Sequence, residues 1–257
     1  MPVSSTNSED SDSIPDEEGL PINELFYSLQ GEGKLGGMPT VFVRTSGCNL
    51  RCWFCDSYHT SWEPTHAQMG IDEIVEEVQS HGRAEHVVLT GGEPLIHEDS
   101  VALLEELDKL GYHTTVETNG TIYRDCPIDL VSISPKLASS TPTPERDPKG
   151  DGEWEERHEE RRIDMEALSS LVDAYDSQLK FVVTGPDDLP EIEELVERVR
   201  AHATTTIPDS EVLLMPEGTT REELDKTRNQ TAELAMEHGY RYTPRLHVDL
   251  WNDAPGT

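Results

Sequence analysis

Apolar residues recur along this chain with two periods. Short runs rich in Val, Ile, Leu and Thr read as strands at residues 40–44, 86–90, 113–119, 130–134, 178–184 and 211–216. Between them, Ile71, Ile74, Val75 and Val78 fall at i, i+3, i+4 and i+7. Ile192, Leu195, Val196 and Val199 repeat that spacing, so each set occupies one helical face. Further helices are predicted near residues 101–110 and within 220–238. Strands alternating with helices require parallel pairing through crossover helices. The pattern predicts an α/β fold with about six parallel strands and flanking helices. That is too few strands to close an eight-stranded barrel, so an open, partial β/α barrel is expected.

Two stretches break the pattern. Residues 1–20 hold Ser, Asp and Glu with few large apolar groups, which predicts an acidic disordered tail ahead of one domain over 21–257. Residues 138–162 combine three prolines with dense mixed charge, which predicts a polar, partly mobile surface insertion with room for a short charged helix at its end.

Charge narrows the class of protein. The 257 residues carry 52 acidic and 20 basic side chains, a formal charge of −32. Such a field repels polyanions and argues against a nucleic-acid partner. No run approaches the roughly 20 apolar residues that span a bilayer. The first residues lack a basic and apolar leader, so a soluble cytoplasmic protein is expected. Acid in excess with only six lysines resembles proteins of salt-saturated cytoplasm, where ions screen surface repulsion. A generically acidic mesophilic protein is the alternative.

Three of four cysteines lie in Gly47-Cys48-Asn49-Leu50-Arg51-Cys52-Trp53-Phe54-Cys55-Asp56, a C-x3-C-x2-C spacing. Clustered cysteines of a cytoplasmic protein are metal or redox groups more often than disulfides. Structural zinc needs four ligands, and Cys126 is the one remaining thiol; it reads as a packing residue before Pro127 rather than as a remote fourth ligand. Three thiolates suit a four-iron cluster with one iron left open for a ligand. The loop follows one predicted strand, and Thr90-Gly91-Gly92-Glu93-Pro94 ends the next.

These two motifs together resemble the radical S-adenosylmethionine (SAM) superfamily. The resemblance implies that the open iron is chelated by the methionine end of SAM, and that bare backbone at Gly91 and Gly92 meets its ammonium. Further patches are similar to the 7-carboxy-7-deazaguanine synthase family: Ser28-Leu29-Gln30-Gly31-Glu32-Gly33, Phe42-Val43-Arg44, Cys55-Asp56-Ser57, Val116-Glu117-Thr118-Asn119-Gly120, Ser132-Ile133-Ser134-Pro135-Lys136 and Leu246-His247-Val248. That family uses SAM, a four-iron cluster and Mg2+ to convert 6-carboxy-5,6,7,8-tetrahydropterin into 7-carboxy-7-deazaguanine with loss of ammonia. The product feeds archaeosine or queuosine in tRNA.

The resemblance implies roles by position. Cys48, Cys52 and Cys55 hold the cluster that cleaves SAM. Phe54, Cys55, Asp56, Gly92, Ser134, Pro135, Lys136, Leu214, Met215 and Pro216 line SAM. Leu29, Gln30, Gly31, Arg44 and Thr90 meet the substrate, Arg44 at its carboxylate. Ser57, where the family commonly has Thr, keeps a hydroxyl oxygen for Mg2+. Met215 stands where glutamine is common and has no hydrogen to donate. Glu117 and Asn119 read either as ligand contacts or as ties between loops. A homodimer and an electron donor such as a flavodoxin or ferredoxin are implied. Two alternatives stay open: a glycyl-radical activating enzyme, which shares the cysteine spacing, and a non-catalytic metal-binding module.

Overall fold

A computed structural model describes residues 19–252, 254 and 256. In chain order the elements are β1 (Leu20–Leu29), β2 (Pro39–Thr45), α1 (Tyr58–Ser61), β3 (Ala67–Met69), α2 (Ile71–Ser80), β4 (His86–Gly91), α3 (Ser100–Lys109), β5 (His113–Thr118), β6 (Leu130–Ile133), α4 (Glu155–Arg161), α5 (Met165–Ala174), β7 (Ser177–Val183), α6 (Leu189–His202), β8 (Val212–Pro216), α7 (Arg221–His238), β9 (Arg241–Tyr242) and α8 (Leu246–Trp251). The six expected strands are β2 and β4 to β8.

One sheet runs β3-β1-β2-β4-β5-β6-β7-β8-β9. From β2 to β9 every neighbour is parallel. At the other end β1 lies antiparallel between β2 and β3. The two edge strands do not meet, so the barrel is open. Strands β1, β3 and β9 add to the six expected. A register shift between Ile22 and Glu24 breaks the alternation of β1, and β3 and β9 are three and two residues long.

Residue alternation sorts the sheet into two faces. Val43, Leu89, Val116, Ile133, Leu179, Phe181 and Leu214 point outward and join the core with Ile74, Val78, Leu104, Leu168, Ile192 and Val196 of the helices. The other face carries Phe42, Arg44, Thr90, Glu117, Ser132, Lys180, Val182 and Met215 around one cavity. Helices thus cover the apolar face, and the polar face is left for chemistry. Local signals agree: Asp72 and Glu73 occupy the first turn of α2, and Thr220 and Glu223 form a reciprocal capping box on α7, which ends at Gly239 with φ 74°.

Two boundaries are corrected. Leu20, assigned to the tail, begins β1 and is fully buried, so the ordered chain starts before residue 21. Residues 1–18 of that tail lie outside the described residues. The 138–162 stretch does end in a short charged helix, α4, but it is no loose decoration: Ser140, Thr141 and His158 within it are buried.

Candidate active site

The cysteine loop runs from the end of β2 to α1, and all four cysteines are free thiols. The loop has no ladder of its own, so side chains tie it down. Trp62 Nε1 donates to the Cys52 carbonyl at 2.9 Å, and Gly47 N donates to Thr60 O at 2.8 Å. Asn119 Nδ2 donates to Asn49 Oδ1 at 2.9 Å. Asn119 N is in turn received by Glu93 at 2.6 Å, and Thr118 Oγ1 donates to the same carboxylate at 2.9 Å. Fully buried Glu93 therefore locks the ends of β4 and β5 to the loop. Gly92 shows why glycine is needed there: a Cβ would stand 2.0 Å from the Gly47 carbonyl. Its bareness serves loop packing as well as any approach of a ligand.

Burial pushes the Cys48 thiol up to about 12 and raises Cys52 and Cys55 too. Left alone, these thiols stay protonated; thiophilic metal displaces those protons. No group of three or more His, Cys, Asp or Glu among the described residues is arranged for a single ion. Cys126 stays in the hydrophobic core, its backbone N donating to Tyr175 Oη at 3.2 Å, which removes it as a fourth zinc ligand. Three soft donors on one loop fit a four-iron cluster, which takes each thiolate on a separate iron.

Leu29, Gln30, Gly31, Arg44, Phe54, Asp56, Ser57, Thr90, Gly92, Ser134, Lys136 and Met215 line the same cavity as the three cysteines. Pairing of β2 with β4 sets Arg44 beside Thr90 at the C-terminal ends of parallel strands. Three assigned residues do not reach the lining. Leu214 and Pro216 flank Met215, so they face the other side of β8, and Leu214 is core; Pro135 is likewise skipped between Ser134 and Lys136.

Magnesium fares less well. Ser57 Oγ accepts from Arg44 at 2.6 Å, and the neighbouring Asp56 is paired with Arg245. With a cationic guanidinium on its Oγ, Ser57 as placed does not offer that oxygen to a divalent cation and serves as a support for Arg44 here.

Glu117, which the sequence leaves open between ligand contact and loop tie, is central here, and other site residues have no role assigned from it. Glu117 accepts from Gln30 Nε2 at 3.2 Å and from Thr90 Oγ1 at 2.8 Å, joining two assigned substrate residues. Glu32, Lys180 and Arg245, all nearly buried, form a charged chain that continues to Asp56. Burial opposes the charge on Glu32, but Lys180 and Arg245 outweigh it and hold the carboxyl well below its usual range. His247 closes the cavity beside Gly31. Glu32 and His247 lie within the family patches without a role of their own, and Lys180 stands as a charge at an inward position of β7.

Open parallel strands, a three-thiol loop at their C-terminal ends and a polar cavity around it define a radical SAM protein. The Radical SAM superfamily model matches residues 42–159. A 7-carboxy-7-deazaguanine synthase of Halobacterium salinarum is 70% identical over 257 residues, covering 100% of both chains. One of Rhodopirellula baltica is 41% identical over 247 residues, 96% of this chain and 92% of that one. The crystal structure of QueE from Escherichia coli superposes with TM-score 0.64 at 26% identity, covering 89% of this chain and 94% of that one. The chain belongs to the 7-carboxy-7-deazaguanine synthase family.

Proposed function

We propose that this protein converts 6-carboxy-5,6,7,8-tetrahydropterin into 7-carboxy-7-deazaguanine with loss of ammonia. The observation that carries the reading is the meeting of three free cysteines with Gln30, Arg44, Thr90 and Glu117 in one cavity. Cys48, Cys52 and Cys55 would hold the four-iron cluster, and Asp56, Gly92, Ser134 and Lys136 would border SAM. Bound together, these groups supply the one-electron chemistry that starts the ring contraction.

The chain's own residues bind and orient. Arg44, half-shielded above the Phe26 ring at 5.5 Å, offers its planar fork to the substrate carboxylate. Gln30 and Glu117 present complementary amide and carboxylate groups to the pterin's hydrogen-bonding edge. Phe26 and Phe42, stacked with centroids 5.0 Å apart, wall the same cavity and give it an apolar side. Glu117 is the organising acceptor, because both Gln30 and Thr90 aim at it.

A cytoplasmic setting, a homodimer and a flavodoxin- or ferredoxin-like electron donor belong to the same reading, and the Halobacterium relative favours archaeosine as the destination of the product. No helix among the described residues is long and apolar enough to cross a membrane. Anaerobic incubation of the reconstituted protein with carboxytetrahydropterin, SAM and reductant, followed by mass analysis, tests the proposal. The deazaguanine acid is expected. A colourless protein holding stoichiometric zinc would instead support the metal-binding module, and 5′-deoxyadenosine without pterin turnover would point to another substrate.

A further inference from the structure

Acidic residues outnumber basic ones 52 to 20, yet cations gather on the cysteine loop. Arg51 lies between two of the cysteines and is 6% exposed. Its Nη1 donates to the carbonyls of Cys48 at 2.6 Å and Leu50 at 2.8 Å, and its guanidinium sits 4.3 Å from the centre of the Trp154 ring. Arg157 packs on that ring too, at 4.4 Å, and Arg146 lies 5.3 Å from the ring of Trp53. Among the described residues no carboxylate pairs with Arg51. A buried cation without a counter-charge is costly. The guanidinium lies against the Cys48 carbonyl and next in sequence to Cys52, so the charge it faces is that of a cluster held on these cysteines.

The 138–162 segment supplies the support. Trp53 Nε1 donates to Ser139 O at 2.7 Å and Trp53 N to Ser140 O at 3.2 Å. Fully buried His158 receives Arg51 N on Nδ1 at 3.2 Å, while its Nε2 meets Ser140 Oγ at 2.9 Å. The backbone of residues 51–53 is thus held from one side by this segment, with Trp154 as the platform for the charge.

We infer that Trp154 is a positioning residue that seats Arg51 as a counter-charge to the cluster, raising the potential at which the cluster accepts an electron. This rests on the proposed function. A cluster on three thiolates is anionic and becomes more so on reduction, so a fixed, poorly solvated cation favours the reduced form. Trp154 acts through Arg51 and touches no reactant.

The test is a redox titration of the anaerobically reconstituted full chain in molar KCl, with graded dithionite and electron paramagnetic resonance as readout. Trp154→Ala and Arg51→Gln are expected to disfavour reduction at least tenfold, about 59 mV for one electron. Trp154→Phe, which keeps a ring face, restores most of that shift. Trp154→Ala, which leaves both hydrogen bonds of Arg51 available, decides the matter if Arg51→Gln does not fold. A potential of Trp154→Ala within twofold of the parent's equilibrium would overturn the inference. A parent chain that takes up no four-iron cluster would remove the reading beneath it, a distinguishable result.

Discussion

Arg245 Nε donates to Glu32 Oε1 at 3.0 Å across 213 positions of sequence, joining the start of α8 to the turn after β1. The same guanidinium reaches Gly218 O at 2.7 Å and Asp56 of the cysteine loop. One buried arginine thus registers three separate segments around the cavity. Glu32 is its counter-charge and also that of Lys180. Glu32→Gln should leave two buried cations short of one carboxylate and cost about 3–5 kcal/mol, the range for breaking a buried pair. Urea unfolding of the apoprotein measures it; a loss below 1 kcal/mol would mean that water already solvates the site.

Gly31 is pressed against His247, where a Cβ would stand 1.9 Å from the ring Nδ1. Leu246 N also donates to Gly31 O at 2.9 Å, so α8 has little room to retreat. Gly31→Ala should destabilise by about 1–3 kcal/mol through overpacking. Adding His247→Ala should return most of that stability in the double variant. Thermal melts of the single and double variants compare the two, and additive losses would show that the clash is not the cause.

In the proposed function Arg44 meets the substrate carboxylate, and its Nη1 donates to Ser57 Oγ at 2.6 Å. Arg44→Ala should raise KM for the pterin by about 30- to 1000-fold, equivalent to about 2–4 kcal/mol, while iron content stays at the parent's level. Ser57→Ala should give a smaller rise, about 3- to 10-fold, because one supporting hydrogen bond is lost. Steady-state kinetics with iron assay separates these effects. Equal loss of iron in the Arg44 variant would contradict its role.

The outward apolar rows of β2 and β4 to β8 were legible because each lies under helices and repeats every second residue. Strand β1 was not, since its bulge disrupts that alternation. The cysteines and the Thr90–Pro94 turn announce themselves by spacing within a dozen residues. Glu32, Lys180, Arg245 and His247 carry no such pattern: single charges in an acid-rich chain acquire meaning only when topology brings the turn after β1 to α8. The 138–162 segment misled for a related reason. Ser140, Thr141, Trp154 and His158, which dock it, are scattered through a run most of whose charged members face solvent.

Two buried histidines set an acid limit. Burial lowers His86 and His158 to about 4. His86 is held neutral between Thr40 Oγ1 at 2.7 Å and Thr115 Oγ1 at 2.8 Å, and His158 Nδ1 must stay unprotonated to receive Arg51 N. Below pH about 6.5 the unfolded chain binds these protons and the native chain does not, so stability falls as pH drops from about 6.5 to about 4. Each should contribute on the order of 2 kcal/mol to that fall. Urea midpoints across this window test the sign, and His86→Gln should flatten the slope.

Surface and interior should answer salt differently. A formal charge of −32 repels itself in dilute buffer, where the Debye length is about 10 Å at 0.1 M, and far less at 1 M, where it is about 3 Å. The melting temperature should therefore rise by more than about 5 °C between 0.1 M and 2 M KCl. Lys180, Glu32 and Arg245 keep only 6%, 12% and 8% of their side-chain surface exposed, beyond the reach of mobile ions. The stability lost in Glu32→Gln should then be the same at both salt concentrations. Unfolding both proteins in urea at each concentration tests the two statements together: a penalty that shrinks in 2 M KCl would place the network in contact with solvent, and a parent midpoint indifferent to salt would end the reading of its acidic surface as an adaptation to brine.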